Sequence, residues 1–244
     1  MNPDAMAPHG LALAAYFRGE TTAEILVRRD DGVVGSVPAS HFFRTPAEFT
    51  PIETLALEQV RGQILDVGGG SGLHSLVLQT RGQRVTAIDI SPDAVWIMQQ
   101  RGVKAVSRAD VFKYQGGLFD TLLMLGHGIG IVEDLAGLSR FLAHARRLLG
   151  SGGQILLDSL DVTRSTDEKN LAYHEANRRI GRYIGEIRFQ LEFHGKPGPY
   201  CGWLQVDPRT LAEQAAANGW SCATLLQQET GDYLARLTRD PSAG

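Results

Sequence analysis

Residues 63–72 read QILDVGGGSG: the mostly apolar run Gln63–Val67 carries one acid, Asp66, and is followed at once by Gly68, Gly69, Gly70, Ser71 and Gly72. A short apolar run bounded by glycines predicts a buried strand that turns sharply into a helix. Lacking a Cβ, the glycines let the backbone turn and let a ligand come close. In open α/β sheets, ligands sit beyond the carboxyl ends of the strands. A dinucleotide-binding turn of this kind has Gly-x-Gly-x-x-Gly and seats a pyrophosphate on the helix N-terminus. Counted from Gly68 and Gly70, the third glycine of that pattern is Leu73. Asp66, two residues before Gly68, also suits a cationic amine better than a pyrophosphate.

Outward from this stretch, strands and helices alternate. A helix is predicted from Leu73 to about Arg81, closed by Gly82, then a strand over Arg84–Ile90. Ser91 caps the next helix with Pro92 at its first position, and Gly102 closes it. Val103–Ser107 reads as a third strand, Phe119–Leu125 as a fourth and Gln154–Asp158 as a fifth. Between the last two, Leu138, Phe141, Leu142, Ala145, Leu148 and Leu149 share one helical face over Leu135–Leu149, ended by Gly150. Asp207 and Pro208 open a further helix to Asn218. Trp220–Leu226 and Tyr233–Leu237 then form a pair of strands, antiparallel because the turn through Gly231 is short. The fold class expected is α/β: a doubly wound, mostly parallel seven-stranded sheet with helices on both faces.

Two segments lie outside this repeat. Residues 1–60 form an N-terminal helical cap, with a turn near Asp30-Asp31-Gly32 and a helix over Ile52–Gln59. Residues 162–206 form an insertion, in which the alternating Tyr183–Phe193 and the later Trp203–Val206 flank the turn-rich Gly195–Pro199 as a β-hairpin. The expected organisation is therefore a cap or lid (1–60), an α/β core (61–161), a hairpin insertion (162–206) and a C-terminal helix and hairpin that complete the core (207–244).

The 244 residues include 24 Lys+Arg and 27 Asp+Glu, a net charge of −3, with 43 % hydrophobic residues. That is an ordinary globular composition, and it lacks the basic excess expected of a nucleic-acid binder. Cys201 and Cys222 have no metal-ligand spacing, so reduced thiols and no metal are expected. No charged and then apolar leader and no run of 18 apolar residues is seen, so a cytoplasmic protein with no membrane partner is expected.

With Asp66-Val67-Gly68-Gly69-Gly70-Ser71-Gly72, an acid closing the next strand (Asp89) and an acid just past the one after (Asp110, beside Val111), the sequence resembles the class I S-adenosylmethionine (SAM)-dependent methyltransferases. The resemblance spans about residues 63–158. It implies SAM as cofactor, S-adenosylhomocysteine as product, and a donor site made by Asp66, Gly68, Gly70, Gly72, Asp89, Ile90, Asp110, Val111 and Leu125. It assigns Asp89 to the ribose hydroxyls and Asp110 to the adenine. A pocket rimmed by acids also suits a sulfonium cation and an amine on electrostatic grounds.

In this fold the loop after the fourth strand, Leu125-Gly126-His127-Gly128, borders donor and acceptor. It lacks the Asn/Asp-Pro-Pro-Tyr sequence of many enzymes that methylate amide or base nitrogens. His127 is the candidate catalytic residue, as a general base or as a group that positions the acceptor. Asp158 and Asp161, at the end of the fifth strand, are further candidates for the cleft. Tyr16, Phe17, Tyr200 and Trp203 lie outside the core repeat and are candidate walls for the acceptor. The function expected is N- or O-methylation of a small-molecule or peptide-sized acceptor, with homodimerisation left open. A SAM-binding sensor or scaffold without catalysis, and a nicotinamide-dependent oxidoreductase, are the alternatives.

Overall fold

The computed structural model describes residues 1–239. Ahead of the glycine-rich turn lie α1 (Ala7–Phe17), β1 (Glu24–Arg29), β2 (Val34–Pro38) and α2 (Pro51–Gln59). The alternating region holds β3 (Gln63–Val67), α3 (Leu73–Thr80), β4 (Arg84–Asp89), α4 (Pro92–Gln100), β5 (Val106–Arg108), β6 (Phe119–Met124), α5 (Leu135–Leu148) and β7 (Leu149–Leu160). Next come α6 (Glu168–Arg179), β8 (Glu186–Phe193), the two-residue β9 (Lys196–Pro197) and β10 (Cys201–Leu204). The described chain closes with α7 (Pro208–Ala217), β11 (Trp220–Gln227) and β12 (Asp232–Arg239).

The main sheet has seven strands in the order β11-β12-β7-β6-β3-β4-β5. The pairs β4/β5 and β6/β7 are parallel, whereas β12 runs antiparallel to both β7 and β11. The α/β sheet expected from the sequence is the one observed. Its central strands bury consecutive residues (Ile64 and Leu65 in β3, Leu122–Met124 in β6, Ile155–Leu157 in β7) because both faces are covered. Each such side chain contributes on the order of 1.5–3 kcal/mol through burial.

The segments outside the sheet differ from the expectation. The N-terminal cap is not purely helical: β1 and β2 form a hairpin around the 30–32 turn, pairing Arg28 with Val34. The inserted segment contains a helix, α6, ahead of its strands, and β8 turns back directly onto β9. These strands form a second sheet in the order β10-β8-β1-β2, so hairpin and insertion share hydrogen bonds (Val27 with Leu191). The third parallel strand is short and later than expected, over Val106–Arg108. At the end of α5, Leu149 already has extended backbone and begins β7, so Gly150 lies in the strand rather than ending a helix.

The chain divides into two compact units that cut across the segments read from the sequence. The first comprises residues 1–50, 65–114 and 188–201; the second comprises 51–64, 115–187 and the chain from 202 onward. The first has an apolar centre of Ala12, Leu13 and Ala14 from α1, Ile25, Ala39, Ile97 of α4, and Leu191 and Phe193 of β8. In the second, Trp220 Nε1 donates to the Leu142 carbonyl and the Tyr233 hydroxyl to that of Val206, at 3.2 and 2.6 Å.

Candidate active site

In the first unit, the turn after β3 is held by its own neighbours. The amides of Gly68 and Gly69 both donate to the carbonyl of Ile88, at 2.9 and 3.1 Å. The Gly70 amide donates to Asp89 Oδ2 at 3.0 Å, and the Ser91 amide to Asp89 Oδ1 at 2.8 Å. These amides are therefore spent inside the protein, which removes the anion-binding use that a pyrophosphate site makes of them.

The glycines divide into two kinds. A Cβ on Gly69 would meet Met98 Sδ at 2.8 Å, and one on Gly72 would meet Val103 Cγ2 at 2.8 Å, so these two are packed against their surroundings. A Cβ on Gly68 would meet nothing within 4 Å, and one on Gly70 nothing nearer than 3.9 Å. Both have left-handed backbone, with φ of +74° and +55°. Gly68 and Gly70 thus present bare backbone to open space, a cradle that side chains would fill.

Two acids bear on that cradle. Asp66 is 3 % exposed and its Oδ2 accepts from Ser75 Oγ at 2.6 Å. Burial pushes its carboxyl up, against the opposing pull of His74 and Ser75. Burial also raises Asp89; the amides of Ser91, Gly70 and Ile90 oppose the shift and the charge of Asp66 adds to it. A cation or hydroxyl donors would relieve both groups, which is the chemistry of a SAM sulfonium and amine and of a ribose diol. The residues present fit SAM.

Of the remaining candidates, Asp110 accepts the Phe112 amide at 3.0 Å beside buried Val111, and the Ile90 carbonyl accepts from Arg108 Nε at 3.2 Å. Not read from the sequence is Arg101, which donates to the Ser71 carbonyl at 2.8 Å and stands over the Phe43 ring. Ser71 Oγ in turn donates to the Phe42 carbonyl. The N-terminal segment is thereby tied to the glycine-rich turn.

In the second unit, buried Leu125 leads to Gly126 and then to His127, whose backbone is left-handed at φ 57° and ψ 33°. The His127 amide donates to Asp158 Oδ1 at 2.8 Å. Its Nε2 lies 2.8 Å from Asp232 Oδ1, and Thr230 Oγ1 donates to Asp232 Oδ2 at 2.6 Å. Burial is the largest single influence on the imidazole and lowers its pKa. The bond to Asp232 and the charges of Asp158 and Asp232 outweigh it, leaving the pKa above the ordinary 6.5. Asp232 was not read from the sequence, although Gly231 beside it was recognised as a turn. Asp161 instead accepts from the amide and hydroxyl of Thr163, a local turn contact.

The four aromatic candidates have different settings. Tyr16 packs on Phe43 at 4.8 Å, and Phe17, 37 % exposed, meets Phe43 and Trp96. Tyr200 is 44 % exposed. Trp203 packs against the turn that follows His127: a Cβ on Gly130 would fall 2.0 Å from its ring.

Residues 65–157 match the family described as Methyltransferase domain. A ubiquinone biosynthesis O-methyltransferase of Xanthomonas euvesicatoria pv. vesicatoria is 35 % identical over 160 residues, covering 61 % of this chain and 63 % of that protein. One from Xanthomonas oryzae pv. oryzae is 33 % identical over 118 residues, 44 % of this chain and 46 % of that protein. The chain thus spans about half the length of the curated relatives it matches. The crystal structure of a SAM-dependent methyltransferase from Bacteroides fragilis, in complex with S-adenosylhomocysteine, superposes with a TM-score of 0.85 and 34 % identity, covering 98 % of this chain and 97 % of that one. A sugar N-methyltransferase from Streptoalloteichus shares the fold at 17 % identity and TM-score 0.56, over 80 % of this chain and 91 % of its own. Matched over nearly its whole length at 34 % identity, the chain belongs to the SAM-dependent methyltransferase family.

Proposed function

We propose that the protein transfers the methyl group of SAM to a hydroxyl of a small organic acceptor. The observation that carries the reading is the bare backbone of Gly68 and Gly70 beside two acids whose carboxyls burial has raised. When bound, SAM supplies an electrophilic methyl group whose C–S bonding pair returns to sulfur on transfer, leaving S-adenosylhomocysteine. Asp66 and Asp89 hold the charged and hydroxylated parts of the donor, with Asp110 and Val111 toward the adenine. His127 accepts the proton that the acceptor hydroxyl loses as its oxygen takes the methyl group. Alignment and the exclusion of water supply the rest of the rate. Support for a hydroxyl comes from the basic imidazole and from the O-methyltransferases among the relatives. Trp203, against the turn that carries His127, is the aromatic best placed to contact the acceptor.

Mass spectrometry of the nucleotide that co-purifies with the protein tests the donor, with SAM or S-adenosylhomocysteine expected and a nicotinamide dinucleotide decisive against it. Donor affinity is further expected to fall at acid pH, because a bound cation favours the ionised forms of Asp66 and Asp89. Titration calorimetry from pH 8 to 5 reads this directly. Affinity independent of pH would remove the two carboxylates from the site.

A further inference from the structure

We propose that Asp232 is the positioning residue of the site: it grips His127 by Nε2 and so makes Nδ1 the atom that takes the acceptor's proton. The inference rests on the reading of His127 as the base and names the group that sets its tautomer. An ionised carboxylate can only accept a hydrogen bond. At 2.8 Å from Asp232 Oδ1, Nε2 must therefore carry the hydrogen, and the lone pair of the neutral ring lies on Nδ1. Nδ1 has no partner among the described residues, and the His127 side chain is one-third exposed.

The sheet explains why both acids reach one histidine. Strands β7 and β12 pair Asp158 with Leu234 and Leu160 with Asp232. Paired residues, and residues two apart along a strand, point to the same face, so the two carboxylates stand on one face of adjacent strands. One takes the His127 amide and the other takes its ring. Asp232 is fixed in turn by Thr230 Oγ1 on its second oxygen, and the turn before it is closed by the Gln228 amide donating to the Asp232 carbonyl at 2.8 Å. His127 has a left-handed backbone that is uncommon away from glycine. Its amide and its ring are each held by one of these carboxylates. The two carboxylates are the charged groups that bear on the ring. Both favour the imidazolium that forms once the hydroxyl proton has moved to Nδ1.

The test uses the full-length 15N-labelled protein and long-range 1H–15N spectra of its histidine rings between pH 5 and 9, with His127→Gln identifying the His127 signals. The expected neutral form is the Nε2–H tautomer, titrating above about 6.5. In Asp232→Asn, which keeps an oxygen for Nε2–H but loses the charge, the midpoint is expected to fall by about one pH unit. In the presence of an acceptor, Asp232→Ala should lower kcat at least about tenfold with KM little changed, and Asp232→Asn should restore part of the loss. An Nδ1–H tautomer in the native protein, or an unchanged midpoint in folded Asp232→Asn, overturns the assignment. If the variants do not fold, the tautomer of the native protein decides alone. The ring spectra need no acceptor, so they are separate from the test of the base itself. A pH–rate limb that survives His127→Gln would end the catalytic reading while leaving the Asp232 grip standing.

Discussion

Each carboxylate oxygen of Asp89 holds one backbone amide, Gly70 on Oδ2 and Ser91 on Oδ1. The acid therefore shapes the donor turn as well as offering its remaining lone pairs to a diol. Asp89→Asn has nearly the same size, but whichever way the new amide turns, its NH2 faces a backbone N–H. That part-buried mismatch costs roughly 1–3 kcal/mol of stability with or without ligand. The loss of a charged acceptor for the diol, about 1.5–3 kcal/mol, should lower S-adenosylhomocysteine affinity on the order of tenfold to a hundredfold. Thermal unfolding should show the cost of the mismatch already in the absence of ligand. Calorimetry that finds native affinity in Asp89→Asn would take this acid out of the donor site. Asp66 and Asp89 were legible because each closes or nearly closes an apolar strand beside a glycine-rich or capped turn. Asp232 was not, because its partner His127 lies 105 residues away and nothing local marks the pairing.

At the scale of elements, the glycine-rich turn predicts opposite outcomes from neighbouring substitutions. Gly69→Ala puts a methyl against Met98 Sδ, the flexible part of a side chain that can shift, so stability should fall slightly and donor affinity stay within about twofold. Gly70→Ala forces an L residue into φ +55° and sends its methyl into the open cradle. A left-handed residue costs about 1–2 kcal/mol in stability, and binding should be lost beyond that. Calorimetry together with melting curves separates the two; equal effects on binding would show that the open side of the turn is not where the donor lies. The strands flanking this turn were readable because burial on both faces leaves unbroken apolar runs. Helix α6 was missed for the opposite reason: only Tyr173, His174 and Asn177 of its twelve residues are buried, so no apolar stripe reports its period. The β1–β2 hairpin was missed although its turn was seen, because β2 is mostly exposed and its sequence, VGSVP, has no clear alternation of burial.

For the molecule as a whole, stability against acid joins the N-terminal helix to the donor turn. His9 of α1 meets the edge of the Phe42 ring at 4.8 Å, and burial pushes its pKa down to about 4 from 6.5. A depressed folded-state value means that the neutral ring favours folding. That contribution is complete above pH 6.5 and is lost as the pH falls through the folded value near 4. Asp66, Asp89 and His127, whose values are raised, act in the reverse sense: they favour the folded state at low pH and lose that contribution as the pH rises. Over the window from 6.5 down to 4, the cost of protonating His9 amounts to at most about 3 kcal/mol. His9→Gln, which cannot be protonated, should flatten the acid fall in denaturant-measured stability by up to that amount. Parallel pH profiles for the two proteins would refute the assignment. The same event should reach the donor, because Phe42 both carries the ring beside His9 and accepts the Ser71 hydroxyl through its carbonyl. Loosening α1 by acid then frees the turn on which Gly70 and Asp89 are arranged. The acid decline in S-adenosylhomocysteine affinity should accordingly be shallower in His9→Gln, with the remaining slope belonging to Asp66 and Asp89.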